Sequence, residues 1–201
     1  MTIIKKILIG ILLYNQMAMS GALVHIFAHA IASAAAFLSI AAVSYRTGTT
    51  KMSELGGMIH KMPITYTVYL IAIISMAGIP PMAGFISKWL IFQALADKGL
   101  FLLAACMFFG SVGSFLYVFR PLSAVFLGQL KPQHKDVTEA PIGMIIPMVI
   151  LSGISLFYGI FPTSLINYTA KIETALGFKN VVETTGLVIE GNNGDLHATL
   201  I

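Results

Sequence analysis

The stretch AGIPPMAGFISKWLIF, Ala77 to Phe92, sets Pro80 and Pro81 between Gly78 and Gly84 and then adds a lysine, Lys88, inside an otherwise apolar run. Proline lacks a backbone donor and glycine loosens the chain, so this pattern predicts a break between two helical pieces. The pieces on either side, 64–79 and 84–96, are short against the roughly 20 residues that a helix needs to cross ~30 Å of hydrocarbon. Composition requires that setting: of 201 residues 57% are hydrophobic and 10% charged, and the mean hydropathy is +0.88. Soluble domains carry about a quarter charged residues.

The same ruler divides the chain into about six apolar segments, at 3–17, 18–44, 64–79, 84–96, 100–119 and 141–160. The expected fold class is all-α and integral to the membrane, with about six transmembrane segments including a discontinuous helix near residues 78–96. The runs are continuous rather than alternating, which argues against a β-barrel. Residues 1–162 form the expected transmembrane domain. Residues 163–179 mix apolar and polar positions at helical spacing, as an interfacial helix does. Residues 180–201 carry Glu183, Glu190 and Asp195 without Lys or Arg, which predicts an exposed, poorly ordered tail. Residues 1–19 begin with Lys5 and Lys6 but place Tyr14, Asn15 and Gln16 where a cleavage site needs small residues, so a retained helix is expected there.

The net charge of +4 reports loop orientation in such a chain rather than an affinity for nucleic acid. Threading the six segments with the amino terminus inside places Lys5, Lys6, Arg46, Lys51, Lys61, Lys98, Lys171 and Lys179 on the cytoplasmic side. Arg120, Lys131 and Lys135 fall on the other side. The single cysteine, Cys106, excludes an internal disulfide and a cysteine metal cluster and reads as a packing residue. Neither a phosphate-binding glycine loop nor a nucleophile elbow is present. No cofactor and no metal are expected, and the chain reads as a non-catalytic membrane subunit.

Ionisable groups within the apolar segments are few: His25, His29, Lys88 and Arg120. Each costs at least ~2.5–3.5 kcal/mol at membrane depth, so a functional role is the default reading. Irregular backbone at that depth normally lines a hydrated cavity, where Lys88 could exchange protons; the alternative is a lysine that snorkels to the interface. No carboxylate lies deep in any segment, so a partner acid would come from another chain. His25, His29 and Ser33 recur at i, i+4 and i+8 and share one helix face. Imidazole and hydroxyl suit a proton relay. Two-histidine metal binding and plain hydrogen bonding between helices remain open as alternatives.

Two stretches resemble a known family. GALVHIFAHAIASAAAFL is similar to the histidine-bearing helix, H-x-x-x-H-A-x-x-K-A-x-L-F-L, of the antiporter-like membrane subunits of respiratory complex I, membrane-bound hydrogenases and Mrp-type sodium/proton antiporters. LGGMIHKMPITYTVYLIAIISMAGIPPMAGFISKWLIF looks like that family's GGL…MP…AGIPP..GF.SK signature, and with FYGIFPTSL the likeness covers roughly residues 5–170. The resemblance implies movement of protons or sodium ions, coupled to redox chemistry elsewhere, in a prokaryotic cytoplasmic membrane. It maps a terminal proton site onto Lys88 and the motif histidines onto His25 and His29. The family's lysine in that helix falls at Ser33. Family members have about fourteen helices in two inverted repeats, and one such repeat cannot form both entry and exit paths. The chain therefore reads as the distal portion of such a subunit, with other membrane subunits as partners, one of them supplying the helices of the first repeat. The rival reading is a structural, helix-packing subunit with no ion path of its own.

Overall fold

A computed structural model describes residues 2–13 and 15–177, and the backbone of 183–185, 188–191 and 194–197. Its helices are α1 (Thr2–Leu12), α2 (Gln16–Thr47), α3 (Pro63–Ala77), α4 (Ala83–Asp97), α5 (Phe101–Pro121), α6 (Ile142–Ile160) and α7 (Pro162–Ala175). A π-helical turn, Leu122–Phe126, extends α5. Three short antiparallel strands, Glu183–Thr185, Val188–Gly191 and Gly194–His197, follow, and the rest of the exposed, poorly ordered tail expected at 180–201 lies outside the described residues.

Helix ends follow local chemistry. Asn15 caps α2 by accepting from the Met17 amide at 3.0 Å, and Gly48, at φ 71°, closes it; a short acceptor and a left-handed glycine are the usual terminators. Pro63 opens α3, where its missing donor costs nothing. The Glu139 carboxylate, which just precedes α6, accepts from the Ile64 amide at 2.7 Å and the Thr65 hydroxyl at 2.6 Å.

Among the described residues, three helices are long and apolar enough to cross a membrane: Gln16–Thr47, Phe101–Phe126 and Ile142–Ile160. Large apolar side chains on α5, including Phe101, Leu102, Phe109 and Leu116, are exposed, which suits a surface solvated by lipid tails. The 32-residue α2 is the spine. Along its C-terminal half, Ala35, Ala42 and Val43 share a core with Val68, Tyr69 and Ile73 of α3 and with Phe126. Along its N-terminal half, Gly21 meets Leu90 and Ile91 of α4, and His25 meets Ser87.

These pairings correct the count of six crossings. The helices α3 and α4 run in succession, antiparallel to α2, down its length once, so the discontinuous segment makes a single passage rather than two. Each half has 15 residues, about 22 Å at helical rise, and is too short to cross alone. The correction moves the charges. Arg46 Nε donates to the Glu139 carbonyl at 2.9 Å, Gln133 to the Glu54 carbonyl at 3.2 Å, and Lys131 to the Ser53 carbonyl. Arg46, Lys51 and Lys131 therefore lie at one end of the bundle, where threading sets them on opposite sides. Lys98 lies at the other end, donating to the Leu13 carbonyl. Lys6 lies in neither loop: it is buried, 4% exposed.

Candidate functional site

The five residues Gly78–Met82 separate α3 from α4, and close backbone contacts hold them. A Cβ on Gly84 would stand 1.8 Å from the Ser75 carbonyl oxygen, and one on Gly159 of α6 would stand 1.9 Å from the Pro81 carbonyl oxygen. Ser155 of α6 donates to Ser75 Oγ at 2.9 Å. Small residues thus bring α3, α4 and α6 together at the break, as expected where helices pack without solvent.

A helix that ends inside the bundle leaves carbonyls with no amide to meet them. Lys88, on the second turn of α4, meets them: its Nζ donates to the Met76 carbonyl at 2.8 Å and to that of Ala77. A cation at a helix C-terminus is favoured by the backbone dipoles as well as by the hydrogen bonds. Gly78 serves twice, since its φ of 79° suits glycine and a Cβ there would lie 2.6 Å from Lys88 Cδ. Lys88 is 8% exposed and points to the helix end, the opposite of a snorkelling lysine.

A second lysine joins it. Lys6 of α1 donates to Ser111 Oγ of α5 at 2.8 Å, and its ammonium group adjoins that of Lys88. Sequence reasoning missed Lys6, treating it as a loop charge, although its place within the apolar segment 3–17 was the available signal. Among the described residues the one ion pair within 4.0 Å is Lys51–Glu54, far along the chain from either lysine. A cavity of about 480 Å³ between α4 and α5 is lined by Lys88, Ser111, Gly78, Trp89, Phe92 and Phe115.

The histidine face of α2 approaches from the other side. His25 Nδ1 lies 2.9 Å from Ser87 Oγ, and Ser87 Oγ donates to the Gly84 carbonyl at 3.0 Å. A hydroxyl has one proton to give, so with that proton on Gly84, Ser87 can only accept, and the His25 hydrogen sits on Nδ1. Nε2 is then a bare acceptor, and it is buried with no partner. His29 follows with its ring centroid 5.9 Å from that of His25, and Ser33 Oγ lies 2.7 Å from His29 Nδ1. Ser33 opens onto a second cavity, of about 330 Å³, which is also lined by Tyr69, Tyr117 and Met76. Met76 is the residue whose carbonyl accepts from Lys88, so Lys88 stands between the two cavities. Gly78, Pro80, Pro81, Gly84, Lys88, His25, His29 and Ser33 are thereby brought around one break, with Ser87, Lys6 and Ser111 added by the tertiary structure. Arg120 is exposed and apart from them.

Residues 5–116 match the transmembrane family described as NADH:quinone oxidoreductase/Mrp antiporter. A Na(+)/H(+) antiporter subunit of Alkalihalophilus pseudofirmus is 32% identical, over 93% of this chain and 26% of that protein. Its counterpart in Bacillus subtilis is 34% identical, over 76% of this chain and 20% of its own length. The chain thus spans about a quarter or less of these curated relatives. Among solved structures, a chain of the archaeal membrane-bound sulfane sulfur reductase superposes with a TM-score of 0.81 at 36% identity, covering 92% of this chain and 30% of that one. The Mrp complex from Dietzia sp. shares the fold, with a TM-score of 0.73 at 23% identity over 81% of this chain and 38% of the other. The matched residues include the whole break, both buried lysines and both histidines of α2, and the chain belongs to this family of multi-pass, antiporter-like subunits of the cell membrane.

Proposed function

We propose that this chain is a membrane subunit of a redox-driven ion-translocating complex and contributes a proton or sodium half-channel in which Lys88 is the central site. The observation that carries the reading is Lys88 itself: a buried ammonium on the open carbonyls of a broken helix, beside a second buried ammonium, between two cavities. Two adjacent buried cations are costly without an anion, so either one of them is neutral or an acid is supplied from outside. A site that must lose or gain a charge in this way is suited to proton exchange. The relay joins Lys88 to its chain neighbour Ser87 and runs on through His25 to His29 and Ser33, and from Ser87 onward these groups are already spaced at hydrogen-bond or ring-contact distance. Further membrane subunits supply the acid that pairs with the lysines and the remaining helices of the path, in line with the respiratory complex and antiporter subunits that this chain resembles.

The rival reading, a helix-packing subunit with no ion path, draws on the tight glycine contacts at the break. Lys88→Ala, measured in the assembled complex, separates the two. Loss of coupled pumping by at least about tenfold with assembly intact is the expected result, since a positioned proton group typically contributes about 100-fold or more. Pumping at the wild-type rate removes the half-channel, and failure to assemble favours packing.

A further inference from the structure

The sequence places no carboxylate deep in any segment, yet the fold buries one. Glu173 of α7 is 0% exposed, its Oε1 accepts from Ser20 Oγ of α2 at 2.5 Å, and its Oε2 is buried with no partner. Native interiors seldom leave a carboxylate oxygen so, because the uncompensated charge costs several kcal/mol or more. A structural anchor would have both oxygens bonded, as Glu139 does with Thr65 and Ile64. The elements packed most closely on α7 are α2, α6 and β1, and Leu165 and Ile166 of α7 share a core with α4, which carries Lys88 and Asp97. The titratable residues of the first three are His25 and His29 on α2, with Tyr45 and Arg46 at its far C-terminal end, Tyr158 on α6, and Glu183 on β1, whose side chain lies outside the described residues. On α7 itself Tyr168 and Lys171 are exposed. No cation among the described residues lies within 4.0 Å of Glu173.

Position gives the carboxyl a role. Ser20 lies five residues before His25, about 7.5 Å along α2, in the direction in which α4 runs toward Lys98 and the end of the bundle. We propose that Glu173 is a proton-accepting site of the ion path, held by Ser20 between the His25 cluster and that end of the bundle. This rests on the half-channel reading and extends it to a residue outside the resembling motifs. Burial raises the carboxyl above the usual carboxylate range, opposed by the hydrogen bond from Ser20.

Dicyclohexylcarbodiimide, which reacts with protonated carboxyls in apolar surroundings, tests this on the intact membrane complex, with modified peptides read by mass spectrometry. Glu173 is expected to be labelled near neutral pH, with Glu54 and Glu139 unlabelled, and labelling is expected to fall as pH rises. Ser20→Ala removes a bond that favours the ionised form and is expected to carry labelling to higher pH. Glu173→Gln is expected to slow coupled pumping by at least about tenfold in the assembled complex. Absence of labelling on the wild-type protein, or wild-type pumping by an assembled Glu173→Gln variant, overturns the proposal and leaves Lys88 untouched. Wild-type pumping by Lys88→Ala removes the path itself. Should Glu173→Gln prevent assembly, labelling of the wild-type protein and its shift in Ser20→Ala decide.

Discussion

The two halves of α2 use polar residues in opposite ways. In the C-terminal half, Ser39 donates to the Ala35 carbonyl and Thr47 to that of Val43, each at 2.8 Å and each within the same helix. Those groups are satisfied without reference to any neighbour, and the packing against α3 is apolar. In the N-terminal half, Ser20 reaches Glu173 of α7 and His25 reaches Ser87 of α4. There the polar groups depend on other helices, and the three buried atoms left without partners among the described residues, His25 Nε2, Gln93 Oε1 and Glu173 Oε2, belong to α2, α4 and α7. One half of the spine is a packing surface and the other a polar seam, with the α3–α4 break marking the change.

Substitutions can test that division. The largest effect is expected at the break, where Gly84→Ala drives a Cβ into the Ser75 carbonyl; overpacking of this kind costs about 3 kcal/mol. It should show as a lower midpoint for thermal unfolding in detergent and a lower yield of assembled complex. Wild-type stability would mean that α4 can move off α3, and that the break is loosely held. In the polar seam, Ser87→Ala leaves the His25 Nδ1 donor unpaired. A cost of about 1–3 kcal/mol is expected for a buried donor so exposed, together with slower pumping, and a variant stable and active as wild type would show that the two halves do not differ. At the far end, Glu139→Ala removes the carboxylate that caps α3, for which about 1 kcal/mol is expected, with pumping per assembled complex unchanged. The smallest effect belongs to the packing half: Ser39→Ala removes only a bond within its own helix and should change stability by less than about 0.5 kcal/mol. An effect as large as that of Ser87→Ala would erase the contrast.

Much of the site was legible because its signals are local. Gly78, Pro80, Pro81 and Gly84 announce a break through backbone chemistry alone, and Lys88 is conspicuous because charge is rare in an apolar run. His25, His29 and Ser33 align by helical period, and the structure does set them in a row. Lys6 was misread because a lysine near the edge of an apolar segment looks like a flanking charge; only the return of α1 against α2 and α5 buries it. Glu173 was invisible for a related reason. It lies in a helix of mixed polarity whose buried face depends on what it docks against.

The sequence by itself determined the membrane setting, the helices and their ends, and the place of the break, because hydropathy, capping and proline act within a few residues. The tertiary structure alone decided that the two helices at the break share one passage, that Lys6 and Lys88 adjoin, and that Glu173 is enclosed. Those facts depend on which faces meet across long sequence separations, and side chains such as Ser20 and Glu173, 153 residues apart, carry no local mark of their pairing.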